Sequence, residues 1–244
     1  MKDIQSQVDH RRIDIKKVGV KTISYPITVL DKASNRQSTL ATVNMYVNLP
    51  HRFKGTHMSR FVEILNRFHG QIDLHAFHSI LQEMKDRLEA EAAHLEISFP
   101  YFLRKKNYPE TLNAAGYQCC MHGSLEEVDD LELQFSVPVS LPLLDQASEV
   151  LDELPRSMGQ WGMVFIRVRF KSFIWIEDLI LLVEEGIDIE RQNVMNKRHS
   201  SLSVEALTII IAEKLSKIFA IKWFSVKVEN PGQGYSTFAA IESS

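Results

Sequence analysis

The sequence predicts an α+β fold of two units with one element order, each an antiparallel sheet carrying helices on one face. Three observations predict it. Segments rich in β-branched residues alternate apolar and polar side chains, the period of a half-buried strand. Between them, apolar residues recur at helical spacing along one stripe. The order β-β-α-α-β-β is read once over residues 1–126 and again over 127–244.

In the first unit, "VGVKTISYPITVL" (18–30) and "STLATVNMYVNLP" (38–50) read as strands. Helices follow. In "SRFVEILNRF", Phe61, Ile64, Leu65 and Phe68 share one face. In "DLHAFHSILQEMKDRLEAEAA" (73–93), Leu74, Phe77, Ile80, Leu81, Met84 and Leu88 make a longer stripe. "HLEISFPYFL" and "GYQCCMHGSL" complete the unit as strands.

The second unit opens with "LELQFSVPVSL" and "MVFIRVRF", both cleanly alternating. "WIEDLILLVEEG" reads as a helix closed by Gly186 at its C-cap. "SVEALTIIIAEKLSKIF" reads as a second helix with Ser203 as N-cap. "KWFSVKVEN" and "STFAAIE" are the last strands.

Bulk properties exclude several classes. With 45% hydrophobic and 24% charged residues the composition is that of a globular chain, and no apolar run has the length of a membrane span. The net charge of −3 gives no reason to expect nucleic acid or an anionic membrane as partner. The N-terminus lacks the apolar core of a secretory signal. Cys119 and Cys120 are adjacent, so on a strand they point to opposite faces and do not pair. A reducing, cytoplasmic location is expected.

Chemistry-bearing residues are scattered, with no P-loop, dinucleotide fingerprint or nucleophile elbow. Lys54, His57 and Arg60 in "HRFKGTHMSRF" stand at a helix start, where unpaired N–H groups and the macrodipole attract anions. They form either a phosphate clamp or a solvated basic helix end. The basic run "RKK" (104–106) reads as a solvated strand end. His75 and His78 lie three apart on a helix without an evident third ligand, and Cys120 and His122 share one strand face. Glu205 falls in the first turn of an apolar helix. Its carboxylate either stabilises the positive helix end or faces a pocket, where it can accept two parallel N–H bonds, as from guanine or a pterin.

"VGVK", "KGTHMSRF", "SFPYFLRKK", "IWIEDLI" and "VKVEN" together resemble the type IB GTP cyclohydrolases, in order over residues 3–242. The resemblance implies a tunnelling fold with the unit duplicated in the chain, and homotetramers whose barrels close between subunits. It implies a reaction that opens the imidazole ring of GTP with water, giving 7,8-dihydroneopterin triphosphate and formate, with zinc or another divalent metal activating the water. Aligning the family's "FVED" with "SVEA" places the purine-anchoring glutamate at Glu205, and Lys54, His57 and Arg60 become candidate triphosphate contacts.

The departures fall on the metal. Where the family reads "SLCPCSK", Pro142 and Leu144 stand in place of the cysteines, in an acidic loop (142–162). No cysteine follows Cys120, and no histidine lies between His122 and His199. The glutamate of the family's "KRPDEK" is replaced after Lys197–Arg198 by His199, Ser200 and Ser201, and a stretch like "IHNHSA" has become "GQGYST". The expectation is therefore a type IB GTP cyclohydrolase-family protein that takes GTP or another purine or pterin, with no bound metal, no assigned catalytic residue and a homotetrameric state; its alternative, which the missing ligands favour on mechanism, is a non-catalytic purine- or pterin-binding homologue or a partner subunit. Catalysis by this chain would need substitute ligands, such as His199 with residues of a neighbouring subunit. Nitrile reduction through a nucleophilic cysteine, a related chemistry of the fold, is disfavoured because Cys119 and Cys120 lie far in sequence from the loop near 142.

Overall fold

The structure is a computed structural model describing residues 15–32, 34–50, 57–68, 70–72, 74–104, 114–126, 129–140, 161–196, 202–231 and 234–243. The chain divides into two compact units, the first ending at Leu133 and the second beginning at Gln134.

Unit 1 is built on a long hairpin. Strand β1 (Ile15–Asp31) pairs antiparallel with β2 (Asn35–Leu49), and Asp31 closes the turn by accepting from the Ser34 N–H at 2.6 Å. A bulge between Val20 and Ile23 puts Thr22 at φ 57, held by its N–H donating to Asn44 Oδ1 at 2.8 Å. Helix α1 (Met58–Arg67), a two-residue strand β3 (Gln71–Ile72) and helix α2 (Leu74–Arg87) follow. Strands β4 (Ala92–Arg104) and β5 (Ala114–Leu125) complete the sheet order β3-β1-β2-β4-β5.

The expected helical stripe extends to Ala93, but α2 stops at Arg87. Glu89 adopts φ 50 and turns the chain back, so Ala92 already belongs to β4.

Strand alternation decides where the core lies. Val43, Met45, Val47, Leu95 and Ile97 are fully buried beneath Phe61, Ile64, Leu65, Ile80 and Leu81 of the helices. Contact is close at Gly123: a Cβ there would lie 2.4 Å from Phe77 Cε1, so the ring occupies the space a side chain would need. Burying a side chain of that size contributes about 1.5–3 kcal/mol.

Unit 2 begins within strand β6 (Asp129–Ser140) and continues through β7 (Trp161–Phe170), helix α3 (Ile176–Asn196), helix α4 (Val204–Ser216), β8 (Ile221–Pro231) and β9 (Ser236–Glu242). Its strand order is β6-β7-β8-β9, with β7, β8 and β9 antiparallel in turn.

Gly186 does not cap α3, which runs on to Asn196. The glycine serves packing instead. A Cβ there would meet Ile211 Cγ1 at 3.2 Å, so its absence lets α3 approach α4. Ser203 is the N-cap of α4, as its sequence position predicts.

Candidate functional site

The start of α4 is defined by local chemistry. Ser203 takes an extended conformation, and its Oγ accepts from the Ala206 N–H at 3.0 Å. That bond satisfies one of the donors a helix start leaves open. Val204, Leu207, Thr208, Ile211 and Leu215 face the sheet and are buried, which turns Glu205 outward. Glu205 is exposed, in the first turn, beside the remaining free N–H groups of the helix end.

Thr208 fixes α4 on the sheet. Its hydroxyl donates to the Val204 carbonyl at 2.6 Å and lies 3.4 Å from the Ala239 carbonyl of β9. Because α4 leads by a short turn into β8, it runs antiparallel to β8 and parallel to β9. Further along the same strand pair, Asn230 stands opposite Thr237. Both residues sit on the buried face of the strands, Asn230 being 9% exposed. Among the described residues, neither Asn230 Oδ1 nor Thr237 Oγ1 has a hydrogen-bond partner.

In unit 1, His57 is the N-cap residue of α1, but its side chain does not cap the helix. Arg60 lies in the first turn, its N–H bonded to the His57 carbonyl at 3.1 Å. The Arg60 guanidinium reaches the carbonyl of Arg87 at 3.5 Å, at the negative end of α2, a structural partner that sequence spacing does not reveal. Lys54, the loop 142–160, residues 197–201 and most of the "RKK" run lie outside the described residues.

A second polar cluster lies on the unit 1 sheet face turned away from the helices. The Tyr46 and His94 rings stack at 4.8 Å and 18°, with Lys17 Nζ 3.7 Å from the Tyr46 ring centre. Glu96 opposes His122, and Ser98 opposes Cys120, its hydroxyl 3.3 Å from the thiol sulfur. Burial pulls the His94 pKa below its ordinary value, and the neighbouring His122 and Lys17 charges add to this against Glu126. Cys119 points the other way into the core, where burial pushes its thiol up to about 12. Burial also raises the Cys120 thiol. Nucleophilic attack needs the thiolate, which burial disfavours at both cysteines.

A catalytic zinc needs three protein ligands. Among the described residues, no group of three His, Cys, Asp or Glu side chains converges to hold a metal ion. The cysteines are committed to β5, and the chain offers no others. Among the described residues, the donor set does not fit the metal that the family resemblance implies.

Among the described residues, no helix is long and apolar enough to cross a membrane. The fold resembles that of solved urate oxidases. The chain aligns with the Bacillus sp. TB-90 enzyme at a TM-score of 0.59 and 7% identity, covering 94% of this chain and 99% of that one. With the uricase from Arthrobacter globiformis the TM-score is 0.52 at 8% identity, covering 93% and 92%. At such identity the likeness carries the fold alone, and that fold is the tunnelling fold.

Sequence relatives are much nearer. The chain is 45% identical to the GTP cyclohydrolase FolE2 of Syntrophobacter fumaroxidans over the full length of both, and 42% identical to that of Geobacter metallireducens over 99% and 97%. The profile described as type I GTP cyclohydrolase folE2 matches residues 1–231. The chain therefore belongs to the type I GTP cyclohydrolase family of the FolE2 kind.

Proposed function

We propose that this chain binds GTP or a related purine or pterin at the first turn of α4, with Glu205 as the anchor, and does not open the ring by the family's metal-assisted route. The observation that carries the second half is the donor set. Pro142 and Leu144 stand where the family has cysteines, and no histidine lies between His122 and His199. The first half is supported by the position of Glu205: exposed, in the first turn of a capped helix, beside open N–H groups.

A carboxylate there accepts the paired N–H donors of a 2-amino-6-oxo heterocycle, while the helix start donates to its acceptors. Lys54, His57 and Arg60 are proposed to contact the triphosphate. The chain is proposed to assemble as a homotetramer, as the family resemblance implies. Two unpaired thiols suit the reducing cytoplasm.

The 45% identity to an enzyme named GTP cyclohydrolase favours a second reading, ring opening with substitute ligands such as His199. Incubation with GTP, with and without added zinc or manganese, separates the two by formate release or neopterin fluorescence. Calorimetry with GTP and neopterin tests binding directly. Saturable binding without formate is expected. Failure of GTP, neopterin and related pterins to bind would reject the proposal.

A further inference from the structure

The face of the unit 2 sheet turned away from α4 carries cations mounted on aromatic rings. Val164, Ile166 and Val168 of β7 are fully buried, so Arg167 and Arg169, which alternate with them, turn the other way. Across β8, Arg169 stands opposite Trp223 and Arg167 opposite Ser225. Both guanidinium groups reach the one indole, their central carbons 5.0 Å (Arg169) and 5.3 Å (Arg167) from its ring centre. Two residues further on, Lys171 Nζ lies 5.4 Å from the centre of the Phe219 ring, a side chain 87% exposed.

Like charges brought to one ring repel, and an anion between them relieves the cost. β7 itself contains no carboxylate. Among the described residues of unit 2, the carboxylates on this face are Glu229, which pairs with Lys227, and Glu242, which stands beyond Ser225 on the edge strand β9. Contact with a ring engages the flat face of a guanidinium and leaves its edge for in-plane N–H donation. Each guanidinium has five such donors, room for an anion beside the contacts it already makes. Side chains two apart on a strand are rooted about 7 Å from one another, so the pair addresses successive groups of an extended anion better than one small ion. We propose that Arg167 and Arg169, held on Trp223, bind an oligophosphate chain, carried by a nucleotide or free, on the opposite side of the sheet from α4. The site is independent of the reading of Glu205 as anchor.

Calorimetry of the full-length protein with sodium tripolyphosphate and with ATP tests it. ATP lacks the 2-amino-6-oxo edge that Glu205 is proposed to hold, so it reports on the phosphate chain. Saturable binding of tripolyphosphate is expected, unchanged in Glu205→Gln and weakened at least about tenfold in Arg167→Gln/Arg169→Gln. ATP and tripolyphosphate binding alike would support the site with the phosphate chain as its whole ligand. Tighter ATP binding that Trp223→Leu removes would support it with a nucleotide as the source. Thermal melts check folding. Should the double variant not fold, Arg167→Gln alone carries the test, on the more exposed residue, with a loss of about threefold or more expected. No binding of tripolyphosphate by the wild type, or an affinity unchanged in the folded arginine variant, overturns the proposal.

Discussion

Replacing Ser203 by alanine removes one bond and nothing else from the start of α4. The serine Oγ is the acceptor for the Ala206 N–H at 3.0 Å, and the extended backbone at Ser203 is one that alanine also adopts. Loss of such a cap costs about 1 kcal/mol. In a chain of this size that lowers Tm by about 2–4 °C. The first turn also carries Glu205, so fraying there withdraws the proposed anchor. If the turn must be ordered to bind, GTP affinity falls by up to about fivefold, the same free energy expressed as a dissociation constant. Ser203→Asp restores a capping oxygen and should recover both Tm and affinity. Melting curves and calorimetry on the three proteins provide the data. A Tm loss with wild-type GTP affinity would refute the dependence of the binding site on this helix start.

Three further outcomes follow from the structure. Gly123→Ala drives a methyl to within 2.4 Å of the buried Phe77 ring and should destabilise by about 1–3 kcal/mol. Adding Phe77→Leu should recover part of that loss, and strict additivity in the double mutant would contradict the packing described. For His94 the folded-state pKa lies below the unfolded one, so the unfolded chain binds the proton more readily. Its contribution is present above the ordinary imidazole value of about 6.5 and is lost as pH falls below it. Denaturant midpoints from pH 8 to 5 should therefore drop more steeply in the wild type than in His94→Phe, which keeps the ring against Tyr46. At pH 8 in the native state, iodoacetamide should modify Cys120, which is half-buried, before Cys119, as read by peptide mass.

Most of the fold is legible because strand alternation is a local pattern with a local cause. β9 is read at its observed limits, Ser236–Glu242, and Ser203 marks its helix because capping chemistry is local too. The misreadings come where a distant neighbour decides. Gly186 has the identity of a C-cap, but its missing Cβ answers to Ile211 on the next helix. The end of α2 is set by the positive φ of Glu89, a residue with no sequence mark of a helix stop. β3, two residues long, exists only through its pairing with Thr28 and Val29 of β1.

The site divides in the same way. The proposed roles of Glu205 and Arg60 come from the place after a cap and the basic motif, whereas the Arg60 link to the Arg87 carbonyl depends on how two helices meet. Asn230 and Thr237 had a visible signal: an asparagine continuing the buried series Phe224, Val226, Val228. That their oxygens lack partners among the described residues required the tertiary structure.

On the proposed function, this family member binds a purine or pterin at Glu205 and lacks the family's metal chemistry. GTP binding and formate release measured on the same preparation, across added zinc and manganese and in Glu205→Ala, test it most directly. The account predicts saturable GTP binding that Glu205→Ala abolishes, and no formate with either metal. Metal-dependent formate release by the wild-type chain would contradict it.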